Sequence, residues 1–149
     1  MFAWANSQLE RWSDTLAPQS DDPGFRFVQA VRDGDEKLAL YILSSGELSS
    51  MEKVNSKGEM AVHVAAFYGS LNVLRTLQSD AETFDPNGQT PLHHAALSGN
   101  KATCQLLLEE FQVTDVAVKN AQGQTPYDVA KSNTVRQYLL PFQLQKETR

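Results

Sequence analysis

The sequence predicts an all-α solenoid of about four helix-turn-helix units with loop or β-turn tips, preceded by an amphipathic helix. Three observations lead there. Residues 58–69 read Gly-Glu-Met-Ala-Val-His-Val-Ala-Ala-Phe-Tyr-Gly and residues 88–99 read Gly-Gln-Thr-Pro-Leu-His-His-Ala-Ala-Leu-Ser-Gly, so the glycines, a histidine and a double alanine recur at an offset of 30. A third copy begins 35 residues later as Gly123-Gln-Thr-Pro-Tyr-Asp-Val-Ala-Lys131, and a degenerate one lies upstream, where Gly34 precedes Gly69 by 35 residues. Leucine-rich segments, Leu71-Asn-Val-Leu-Arg-Thr-Leu77 and Ala102-Thr-Cys-Gln-Leu-Leu-Leu108, follow the two fullest copies.

Each unit can be justified in turn. Before the repeats, Phe2, Ala5, Leu9, Trp12 and Leu16 recur with gaps of three and four, which puts them on one face of a helix over residues 1–17. Residues 18–24, opened by Pro18 and closed by Pro23-Gly24, read as a linker. The repeat array is expected over 25–140, in units of about 25–54, 55–84, 85–119 and 120–140. In the first unit Phe27, Val28 and Val31 with Leu38, Ile42 and Leu43 give two apolar stripes, one per helix. In the later units Thr90 and Thr125 supply a capping oxygen, and Pro91 and Pro126 suit the first helical position, where an N–H would lack a partner anyway. Gly88 and Gly123 suit loop tips, while Gly69 and Gly99 suit left-handed helix ends. Ala65-Ala66 and Ala95-Ala96 keep the first helix thin for stacking. Cys104, Leu107 and Leu108 form the buried stripe of a second helix over 101–110, as Leu71, Leu74 and Leu77 do one unit earlier. Pro141 is expected to end the last helix, leaving 141–149 as a tail whose apolar residues cover the open end of the stack.

The period and the run Thr90-Pro91-Leu92-His93-His94-Ala95-Ala96 resemble the ankyrin repeat. The resemblance covers about residues 25–140, with Met60-Ala61 replacing Thr-Pro inside the array. It implies that His63 and His93 are structural, their rings hydrogen-bonding backbone between repeats. It also implies a non-enzymatic protein-interaction scaffold or adaptor, monomeric on its own, whose partner-contacting positions flank the loop glycine and precede the second glycine. Those positions are Lys57, Glu59, Phe67 and Tyr68, then Asn87, Gln89, Leu97 and Ser98, then Gln122 and Gln124. Phe67 and Tyr68 carry the most weight, because two aromatics on a surface slot expose apolar area that a ligand would cover.

Composition narrows the alternatives. The 149 residues, 41% hydrophobic and 21% charged, suit one globular domain. A net charge of −5 disfavours nucleic acid as a partner. No cofactor, metal or small-molecule substrate is expected. Zinc is disfavoured because His93 and His94 point a quarter-turn apart and no second cysteine or carboxylate pair completes a ligand set. An enzyme would have to use His94 and Cys104, yet no paired carboxylates, nucleophile elbow or Gly-rich phosphate loop is present. Asp128 stands in the histidine slot of the last unit and is expected to cap its helix. The single cysteine and the absence of a basic start with an apolar run predict a reducing compartment, cytoplasm or nucleus. No stretch is apolar enough to span a membrane. Three uses stay open for residues 1–16: docking on the first repeat, filling a partner's groove, or resting on a membrane surface as a peripheral trafficking adaptor.

Overall fold

A computed structural model describes residues 22–49, 52–113 and 116–147. The face Phe2, Leu9, Trp12 and Leu16 lies outside the described residues. The described chain runs through eight α-helices in four pairs: α1 (Pro23–Asp33) and α2 (Glu36–Ser44), α3 (Ala61–Tyr68) and α4 (Leu71–Thr76), α5 (Pro91–Ser98) and α6 (Lys101–Gln105), α7 (Pro126–Val129) and α8 (Asn133–Glu147). No strand forms among them; one isolated bridge joins Lys53 to Met60 at the base of a loop.

The first helices form one layer, α1 on α3, α3 on α5 and α5 on α7, while α2 packs on α4 and α6 on α8 in a second layer. The thinness of the first layer follows from its alanines. Ala61, Ala65, Ala66, Ala95 and Ala96 are all fully buried, which lets adjacent backbones approach. Apolar burial is divided accordingly into two adjoining clusters. Phe27, Ile42, Val62 and Leu74 centre the first, and Leu92, Cys104, Leu107 and Val135 centre the second. This is the layered burial of a solenoid, in which each unit covers only its neighbours.

The helix ends obey local chemistry. Thr90 Oγ1 accepts from the His93 amide and Thr125 Oγ1 from the Asp128 amide, with Pro91 and Pro126 following each cap. Met60 has no oxygen to offer, so its own side chain does not cap α3, and only the His63 ring, accepting from the Met60 amide, closes that helix start among the described residues.

The structure differs from expectation in four places. Pro23 and Gly24, assigned to the linker, are the first residues of α1, where Asp22 caps the helix and Pro23 occupies the position that needs no donor. Pro141 does not end the last helix; α8 runs from Asn133 to Glu147 through it. Packing explains this, because Leu139 before the proline is buried and Phe142 after it packs on the second cluster, offsetting the lost hydrogen bond. Gln143 is also tied back, its Oε1 accepting from Thr125 Oγ1 at 2.9 Å. Leu38, placed on a buried stripe, is exposed, and Ala39 and Ile42 fill that stripe instead. The helix over 101–110 changes pitch at Leu106, continuing to Glu110 as a π-turn that buries Leu106, Leu107 and Leu108 in succession.

Candidate functional site

The loops between units repeat one device that is not apparent from the glycines alone. Asn55, Asp85 and Asn120 stand 30 and 35 residues apart, matching the period. Each Oδ1 accepts two backbone amides, from Lys57 and Glu59, from Asn87 and Gln89, and from Gln122 and Gln124, at 2.8–3.1 Å. The left-handed turns at Gly58, Gly88 and Gly123 close these loops. Adjacent tips are joined where the Ala121 amide donates to the Asn87 carbonyl at 2.8 Å. The two asparagines also donate from Nδ2, to Glu59 Oε1 at 2.7 Å and to Gln124 Oε1 at 3.3 Å.

Asp85 has no such donor. Its second oxygen lies 3.0 Å from His94 Nε2, inside the protein. The slots correspond across units: Val64, His94 and Val129 occupy one position, so the loop carries aspartate where the helix carries histidine and asparagine where it carries valine. Glu59 joins this pair from the preceding loop, its Oε2 3.5 Å from the same His94 nitrogen. The ligand atoms of Glu59, Asp85 and His94 lie within 4.8 Å of one another, so these are the described residues able to hold a metal ion. The premise that no carboxylate pair accompanies the histidines is therefore corrected: the carboxylates come from two loops, 35 and 9 positions before His94. In the geometry present, His94 Nε2 and Asp85 Oδ2 are already bonded to each other.

Above this trio opens a cleft of about 420 Å³. Its walls bring together Lys57, Glu59, Phe67, Tyr68, Asn87, Gln89 and Leu97, with His94 at its base. Phe67 and Tyr68 meet edge to face, ring centres 5.1 Å apart, and are 37% and 42% exposed. Ser98, Gln122 and Gln124 are exposed outside the cleft. Phe67 and Tyr68 are placed here because they occupy the last turn of α3, just before the left-handed Gly69 ends that helix.

The two structural histidines behave differently from His94. His63 Nε2 lies 2.8 Å from the Thr83 carbonyl and its Nδ1 accepts from the Met60 amide at 3.2 Å. His93 repeats this with the Gln124 carbonyl at 3.0 Å and the Thr90 amide at 3.1 Å. Because Nδ1 accepts a backbone N–H, the proton must sit on Nε2 and point at the carbonyl. Burial holds both imidazoles below their ordinary value, against the pull of those carbonyls. Asp128 closes the cap expected of it, its Oδ2 accepting from the Thr125 amide at 3.0 Å. Cys104 is fully buried, and that burial pushes its thiol up to about 12, so the His94/Cys104 reading loses its nucleophile at neutral pH.

Stacked helix pairs with linked loop tips and an open cleft beside the first helices define a solenoid repeat scaffold. Comparison with known proteins gives the family. The model described as Ankyrin repeats (3 copies) matches residues 27–120 and 77–147, and the chain belongs to the ankyrin-repeat family. It is 36% identical over 110 residues to Protein phosphatase 1 regulatory subunit 12A of Rattus norvegicus, covering 69% of this chain and 10% of that protein. It is 33% identical over 132 residues to the Transient receptor potential cation channel subfamily A member 1 homolog of Caenorhabditis elegans, covering 78% and 11%. Ankyrin repeat domain-containing protein 13C of Danio rerio is 37% identical over 94 residues, 61% of this chain and 19% of that one. The chain thus spans about a tenth of the length of the first two relatives. Ankyrin repeats are generally non-catalytic protein-interaction modules. No described helix is long and apolar enough to cross a membrane.

Proposed function

We propose that this chain is a non-enzymatic interaction module that holds a partner protein in the cleft between the second and third units. One observation carries the reading: Phe67 and Tyr68, exposed side by side, form the wall of a cleft whose other lining residues come from the neighbouring loop tips and from the first helices of adjacent units. Aromatic anchors that release water on binding dominate many protein interfaces. The surrounding polar groups, Asn87 and Gln89 among them, sit on loops already fixed by Asp85, so little ordering cost accompanies association. Lys57, Glu59 and Leu97 complete the contact, with Ser98, Gln122 and Gln124 as outlying positions on the same succession of units. Protein phosphatase 1 regulatory subunit 12A is by name a regulatory subunit, and a regulatory binding role for this chain is consistent with that likeness.

Affinity capture with the wild type and a Phe67→Ala/Tyr68→Ala variant of matched folding tests the reading. The variant is expected to lose the bound protein. Equal recovery by both would remove the cleft as the binding surface.

A further inference from the structure

We propose that the cleft receives an arginine side chain of the partner, its stem against Phe67, Tyr68 and Leu97 and its guanidinium on Glu59. This rests on the reading of the cleft as the partner surface and adds the chemistry that the cleft selects. Charge at the cleft floor favours a cation. Two carboxylates, Glu59 and Asp85, face a single imidazole at the cleft floor, so acidic groups outnumber basic ones in the trio. The Asp85 side chain is fully buried and that of Glu59 is 14% exposed, so their field is felt through a medium far less polar than water. Lys57 also lines the cleft, but it is exposed and its charge is screened by solvent.

The hydrogen bonds of Glu59 occupy one of its oxygens. Its Oε1 accepts from Asn55 Nδ2. Its Oε2 faces His94 Nε2 at 3.5 Å, a nitrogen whose hydrogen bond goes to Asp85 instead. Glu59, which lines the cleft, is thus held in place by one oxygen while the other keeps accepting capacity. The shape of the cleft selects among cations. A flat, weakly hydrated guanidinium stacks on aromatic faces and forks onto a carboxylate, which a compact ammonium does not do as well. A cleft with an aromatic wall and a carboxylate at its base fits the first of these cations better.

Glu59→Gln isolates the charge. Gln89 and Gln124 occupy the same slot in the next two units, so these loops accept glutamine and the Asn55 bond is retained. Random dodecapeptides displayed on phage and selected on the full chain serve as the probe. Arginine-containing peptides are expected to emerge, to lose at least tenfold in affinity when that arginine becomes citrulline, and to lose as much on Glu59→Gln. With the Glu59→Gln variant as the target, the citrulline exchange is then expected to have little further effect. Selected peptides that need Phe67 and Tyr68 but carry no arginine, or that tolerate citrulline within twofold, overturn the arginine assignment while leaving the interface standing. Peptides that bind the Phe67→Ala/Tyr68→Ala protein unchanged, or a selection that enriches nothing, overturn both.

Discussion

His93 Nε2 donates to the carbonyl of Gln124 at 3.0 Å, joining the third helix pair to a loop 31 residues further along the chain. The other ring nitrogen accepts from Thr90, so one imidazole closes both the cap of its own helix and the junction to the next unit. His63 does the same toward Thr83. In the last unit the slot holds Asp128, whose contact among the described residues is to its own cap.

The same slot should therefore carry different energies. Replacing His93 with leucine leaves the Thr90 amide and the Gln124 carbonyl without the ring and is expected to cost about 3 kcal/mol, since each buried group left unpaired costs about 1–3. Asp128→Ala removes a cap alone and is expected to cost about 1 kcal/mol. Urea denaturation of both variants measures the difference; equal losses would mean that the junction bond contributes nothing.

Acid should loosen the array through these rings. Burial lowers the folded-state value of His63 and His93 below 6.5, so the unfolded chain binds protons more readily than the folded one. The stability they contribute is complete above about pH 6.5 and is lost as pH falls below it, by at most about 1.4 kcal/mol per pH unit for each histidine. Denaturation midpoints at pH 7.5, 6.0 and 5.0 should decline in the wild type and less steeply in His63→Leu. A flat profile over that interval would contradict the role given to burial.

Two left-handed glycines should respond unequally to a methyl group. Gly34 and Gly69 have φ of +81° and +73°, and both resist a side chain for that reason. A Cβ on Gly34 meets nothing within 4 Å, whereas one on Gly69 falls 1.8 Å from Asn100 Nδ2. Asn100 caps α6 by accepting from the Thr103 amide, so Gly69→Ala strains a turn and displaces a cap together. Gly34→Ala is expected to cost about 1 kcal/mol and Gly69→Ala about 2 kcal/mol or more. Thermal or urea melts of the pair settle the order.

The repeat is legible because its parts are local. Thr90-Pro91, Thr125-Pro126 and the terminating glycines act on backbone groups within a few residues, and such chemistry is written in order along the chain. The His63 and His93 slots are legible through the family resemblance. Pro141 defeats a local reading because a proline's cost is local while its compensation, by Leu139, Phe142 and Gln143 against the last cap, comes from packing.

What the sequence by itself determined is the period and the helix pairs, since residues repeated at a fixed offset recur at one position of each unit; seven of the residues that line the cleft were named only through the family resemblance. Only the tertiary structure decided that Glu59, Asp85 and His94 meet. Their spacings of 26 and 9 residues form no motif, and two loops must stack before the carboxylates face one ring. A faint trace was present, aspartate paired with histidine where the other units pair asparagine with valine. Its meaning depends on a distance of 3.0 Å that the stacking creates.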